Sequence, residues 1–189
     1  EIIELVENAR NISPEVSTSL LLYKALAHFQ LGEPYKAKKA VADANEISSD
    51  SLYSKLGNAY VDFSNNQINV SLEKINQILK ESPDFADAHL LKGQLTSVVN
   101  DQAGAVESFE KYKELLPQTY QSRVLLANAY VQNKQYKEAE KEIDELLKIN
   151  SDQSFVNQLK AAVRFQDQDF IKAKFHSEKA IQNGSSNVP

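Results

Sequence analysis

The 189-residue chain has no cysteine, which removes disulfides, thiolate metal sites and a cysteine nucleophile from consideration. That absence suits a reducing cytosol and a cysteine-free extracytoplasmic protein equally, so the compartment stays open. Glycine and proline are scarce, five of each, too few for a turn-dense sheet protein, whereas helix-favouring Leu, Ala, Lys, Glu and Gln abound. No apolar run approaches the roughly 20 residues that span a bilayer, so no membrane insertion of this stretch is expected. There is no basic excess either. A formal net charge of -5 repels phosphate backbones and anionic lipid, and no basic patch offsets it, which argues against nucleic acid as a partner.

Groups that could converge for catalysis are equally sparse. The three histidines, His28, His89 and His176, include no i,i+4 pair to grip a metal. Gly-rich phosphate loops and nucleophile-elbow serines are missing. The acidic series Glu138, Glu140, Glu142 and Glu145 alternates with Lys137, Lys141 and Lys148, the pattern of a solvated helix face stitched by weak ion pairs. The expectation is a protein that is not an enzyme, with no cofactor and no metal.

What the chain does have is a period. Apolar residues make up 42% of it, enough for a packed interior, and the sequence matches itself at a spacing of 34 in windows that begin at Thr18, Leu52, Ala86, Tyr120 and Ser154. The eighth position reads Ala25, Ala59, Gly93, Ala127 and Ala161, and the twentieth reads Ala37, Ser71, Ala105, Ala139 and Ala173. Every one is small, as two antiparallel helices require where they cross closely. Large residues follow at position twenty-four, Val41, Ile75, Phe109 and Ile143, with Ser177 the exception. Breaks recur at Gly32-Glu33-Pro34, Ser64-Asn65-Asn66, Asn100-Asp101 and Asn133-Lys134, and between repeats at Ser48-Ser49-Asp50, Pro83-Asp84, Pro117 and Ser151-Asp152.

These residues resemble the tetratricopeptide repeat family. The fourth window matches best, through Leu126, Ala127, Tyr130, Tyr136, Ala139, Ile143 and Leu146. In the second, Tyr53, Leu56, Gly57 and Tyr60 reproduce the first-helix motif two residues early, which predicts a turn lengthened by two residues around Asn65 and Asn66. Lys24, Lys92 and Lys160 replace the family's Leu at position seven, so those first helices are expected to be rotated or locally loose. The resemblance implies an all-α, right-handed superhelical solenoid of antiparallel helix pairs. Its parts would be the second helix of a truncated preceding repeat at 1–17 and five repeats at 18–51, 52–85, 86–119, 120–153 and 154–187. The start, Glu1 followed at once by Ile2, Ile3, Leu5 and Val6, reads as an excised piece with more repeats before it. A narrower likeness, carried by Phe85-Ala86-Asp87-Ala88-His89-Leu90-Leu91-Lys92-Gly93 and Arg123-Val124-Leu125-Leu126-Ala127, is to bacterial repeat lipoproteins associated with exopolysaccharide production and PEP-CTERM protein sorting. It implies the periplasm or envelope.

The family resemblance also implies that the first helices line a concave face and hold a protein or peptide partner. With the second window shifted, position nine supplies the amides Asn58, Gln94 and Asn128, and position twelve supplies Phe29, Val131 and Phe165. The amides would donate to and accept from an extended peptide backbone, and the apolar groups would anchor it. Chaperone-tail clamps carry basic residues at position five. Leu22, Ser54, Leu90, Val124 and Gln158 stand there, so acidic C-terminal tails are not expected to bind. The alternative is an architectural spacer or self-association segment of a longer array.

Overall fold

The computed structural model describes residues 13–184. The helix expected ahead of Pro14 lies outside them. Ten helices and no strand occur among the described residues: α1 Pro14–Gln30, α2 Pro34–Ser48, α3 Leu52–Ser64, α4 Ile68–Glu81, α5 Ala86–Val98, α6 Gln102–Leu115, α7 Tyr120–Gln132, α8 Tyr136–Ile149, α9 Ser154–Gln166 and α10 Phe170–Gln182. From α3 onward each odd helix starts 34 residues after the last, and the even helices do so from α2.

The period has a backbone cause. The only described non-glycine residues with positive φ are Asn66, Asn100, Lys134 and Gln168, and with Gly32 they stand 34 residues apart in the five intra-pair turns. Each is the left-handed residue that ends a helix. The N–H groups of Glu33, Gln67, Asp101, Gln135 and Asp169 donate back to the carbonyls of His28, Asp62, Thr96, Tyr130 and Arg164 at 2.8–3.0 Å. The turn residues themselves donate to Phe29, Phe63, Ser97, Val131 and Phe165 at 2.9–3.1 Å. This pair of hydrogen bonds closes every odd helix in the same way and reverses the chain in three residues. Several helix starts are capped by side chains: Ser13, Asp101 and Asp169 accept from the backbone N–H of Val16, Gly104 and Lys172.

The second turn is therefore not lengthened. α3 and α4 sit on the common 34-residue step, and the early motif at Tyr53-Leu56-Gly57 has another origin. A Cβ at Gly57 would lie 3.1 Å from Val41 Cγ2, so Gly57 marks the close approach of α3 to the preceding helix α2, while Ala59 marks the crossing with α4.

The helices cluster into two compact units, Glu1–Leu95 and Thr96–Pro189. In the first, Leu22, Leu56, Ile75, Ile78, Ala88, Leu91 and Leu95 form one buried cluster, and Ala25, Ala37, Ala40 and Val41 form another. Ser71 is fully buried at a crossing and satisfies its hydroxyl by donating to the Ala59 carbonyl at 2.8 Å. In the second unit α6 packs on α7, α7 on α8, and α9 on α7, α8 and α10. Ala127, Ala139, Ile143, Leu146, Val156 and Val163 are buried there. All ten small positions are buried.

Candidate functional site

The positions expected to meet a partner lie on the odd helices. In the first unit Phe29 is half-buried on α1 and packs against the Ala25, Ala37, Ala40 and Val41 cluster. Gln94 is half-buried on α5. In the second unit Asn128 and Val131 are half-buried on α7, while Phe165 on α9 is 65% exposed. Gln94 and Asn128 are one repeat apart, as are Val131 and Phe165.

Asn58 belongs to a different environment. It exchanges two hydrogen bonds with Asn45 of α2, each amide nitrogen donating to the other's oxygen at 3.0 Å. Asn45 also donates to the Val41 carbonyl at 3.0 Å. The Asn58 amide thus ties α3 to α2. Stepping back one repeat from Gln94 gives Tyr60, and two repeats back from Val131 gives Phe63. Both are half-buried on α3 and pack against the first unit's core. Counted strictly by 34, Tyr60 and Phe63 stand at positions nine and twelve of the second window, and the early motif hides them.

The position-seven lysines do not loosen their helices. α9 is continuous, and Lys160 is 5% exposed, held by Glu140 at 2.8 Å and Asp144 at 2.5 Å, both on α8. Its aliphatic stem takes the place of a leucine while its ammonium is neutralised. Arg164 also contacts Glu140. Beside them Asn157 is fully buried, donating to the Ser151 and Gln153 carbonyls at 2.8 and 2.9 Å and meeting His176 Nδ1 through its oxygen at 2.9 Å. Burial first, then the charges of Lys160, Arg164 and Lys179, hold the His176 imidazole below its ordinary value. Tyr130 on α7 donates to Glu110 of α6 at 2.6 Å. Burial and that carboxylate push its hydroxyl well above the ordinary phenol range.

A cleft of about 750 Å³ opens between α9 and α10 in the second unit. Phe165, Phe170 and Ile181 border it, Ala161, Ala162 and Ala173 floor it, and Lys174 and Ser177 supply polar groups. Phe165 and Phe170 meet edge to face with centroids 5.5 Å apart. No three His, Asp or Glu side chains converge on a metal-sized point among the described residues. No described helix is long and apolar enough to cross a membrane. The chemistry on offer is amide hydrogen bonding and apolar contact.

Residues 100–163 match the Tetratricopeptide repeat family. The matched stretch holds α6–α8 and most of α9, and the same turn geometry recurs on either side of it. No curated protein matches the chain by sequence. Solved structures match it along most of its length. MamA 41-end from Desulfovibrio magneticus RS-1 superposes with a TM-score of 0.71 at 14% identity, covering 91% of this chain and 97% of its own. A Pseudomonas aeruginosa pilF structure gives 0.74 at 18%, covering 92% and 79%, and MamA of MSR-1 gives 0.69 at 17%, covering 89% and 97%. At these identities the likeness is one of fold. The chain is an all-α, tetratricopeptide-like array of helix pairs.

Proposed function

We propose that the protein is a non-catalytic scaffold that holds a protein or peptide partner along the exposed side of its odd helices. The observation that carries this reading is the match of residues 100–163 to a repeat family, together with a position-nine and position-twelve column whose side chains remain partly open. Gln94 in the first unit and Asn128 in the second are amides able to donate and accept, and Val131 and Phe165 are apolar anchors in the second unit. Phe29 extends the apolar set in the first unit. Asn58 contributes through its bond to Asn45, by holding α3 in place. The likeness of residues 85–93 and 123–127 to exopolysaccharide and PEP-CTERM repeat lipoproteins supports a setting in a bacterial envelope export or polysaccharide system. It also supports a periplasmic or envelope location.

The test is site-specific photocrosslinking in the source cell, with the probe at Gln94, Asn128 or Phe165 and a control at exposed Glu107 on α6. The reading expects a discrete adduct from the three test sites, weakened in a peptide-binding titration by Asn128→Ala. Adducts from Glu107 alone, or from none of the sites, overturn it. The α9–α10 cleft favours a second reading, a surface for self-association.

A further inference from the structure

Asp62, Glu140 and Glu142 are partly buried carboxylates, and each is met by a base. Lys74 reaches Asp62, Lys160 and Arg164 reach Glu140, and Lys113 and Arg123 reach Glu142. Asp87, half-buried in the first turn of α5, is held differently. Its one hydrogen-bond donor among the described residues is the Tyr23 hydroxyl of α1, which reaches its Oδ2 at 3.0 Å. A phenol is a neutral donor, so the negative charge stays uncompensated. Burial raises the Asp87 carboxyl above its ordinary value, and the Tyr23 bond offsets part of that rise.

The surroundings are aromatic and acidic. Tyr53 of α3 packs edge to face on Phe85 with centroids 5.3 Å apart. Its hydroxyl is raised above the ordinary phenol value by burial first, then by the charges of Asp87 and Glu15. Both carboxylates therefore lie within electrostatic reach of one phenol. Tyr23 is 42% exposed, so the cluster opens to solvent. Glu15 and Tyr23 come from α1, Tyr53 from α3 and Asp87 from α5, all within the first unit. Asp87 stands seven residues before Gln94, two helical turns, so the two share a face of α5 with Leu90 between them. The charge on that face belongs to Asp87.

We propose that this face takes a partner segment bearing a lysine or arginine, whose cation pairs with the Asp87 carboxylate beside the Tyr23 and Tyr53 rings. It rests on the partner-scaffold reading and adds the charge of what the scaffold holds. A carboxylate has about four acceptor sites, and Tyr23 occupies one, which leaves the others for ammonium or guanidinium N–H groups. Phenol rings attract such cations through their faces, and Glu15 supplies a second negative charge. A metal ion is poorly served, since no three His, Asp or Glu side chains converge among the described residues. An acidic segment would be repelled.

Selection of capped, randomised nonapeptides on the immobilised 189-residue chain tests it. The bound pool should be enriched in Lys or Arg at one position. Fluorescence anisotropy with the best-bound peptide should then show Asp87→Asn weakening it by about tenfold or more, as loss of a charge-assisted pair does. Tyr23→Phe should weaken it less. Asp87→Lys should come to prefer the peptide with Glu in place of the base. A norleucine in that place should bind the parent and the Asp87→Asn chain alike, which a misfolded variant would not do. A bound pool without basic enrichment, no bound peptide at all, or a base whose contribution survives Asp87→Asn overturns the proposal. Crosslinking at Asn128, in the other unit, judges the scaffold reading separately.

Discussion

α8 and α10 occupy the same place in successive helix pairs, yet one is an interior wall and the other an open face. Position twenty-four is Ile143 on α8, fully buried, and Ser177 on α10, exposed. Position twenty is alanine on both, and buried on both: Ala139 and Ala173. The small residue meets the partner helix within its own pair. At position twenty-four of α2, Val41 clusters with Ala25 and Ala37 of its own pair and also lies against Gly57 of the next helix, a neighbour that α10 does not have among the described residues.

Substitutions can break that contrast or sharpen it. The largest expected effect is from Ile143→Ala, which leaves a cavity at a fully buried position of α8 and should lower stability by about 2–5 kcal/mol. Ser177→Ala should stay within about 0.5 kcal/mol, both read by urea denaturation. Equal effects would mean that the two faces are equally packed. Next is Glu140→Gln, which leaves Asp144 as the one carboxylate of α8 on the buried Lys160. A loss of about 1–3 kcal/mol is expected, and the corresponding Lys174→Gln on the open face should cost almost nothing.

Replacing the left-handed turn residues should act in the opposite direction. Lys134 and Gln168 hold φ of 60 and 61, which disfavours side chains with a Cβ. Lys134→Gly and Gln168→Gly are each expected to raise stability by about 0.5–1 kcal/mol, measured as a shift in the thermal midpoint. Gly32 already supplies this geometry in the first turn, with φ 70.

The smallest effect concerns pH. His176 has its proton affinity lowered in the folded chain by burial and by Lys160, Arg164 and Lys179. The unfolded state therefore binds the proton more readily, and folding favours the neutral ring. This contribution is whole above the ordinary histidine value of about 6.5 and is lost as pH falls through the lower folded value. His176→Gln should flatten the decline in the urea midpoint between about pH 7.5 and pH 5.5. An unchanged slope would show that the imidazole is not held neutral by its surroundings.

Much of the architecture was legible because close helix crossings constrain side-chain volume locally: Ala25, Ala127 and Ala139 stand out in a bare string of letters. Gly32 and the asparagines at 66 and 100 mark turns for the same local reason. Gln168 does not, because its left-handed conformation is imposed by the turn and goes against its intrinsic preference. Lys160 looked like a defect at a leucine position, since its neutralising partners come from α8, 16 and 20 residues away, and a motif carries no trace of them. Asn58 stands off the 34-residue count because Gly57 imitates the small residue of a crossing while serving a different contact. Among the residues expected to face a partner, Phe165 and Asn128 lie on that count.

The central claim is that small residues recur because close helix crossings require them, and Ala139→Leu compared with Ala103→Leu tests it most directly. Both replace alanine by leucine in the second unit, the first at a fully buried crossing and the second on an exposed surface of α6. Urea unfolding should show Ala139→Leu destabilised by about 1–3 kcal/mol or more from overpacking, with Ala103→Leu within about 0.5 kcal/mol of the parent. Equal stability for the two variants would contradict it.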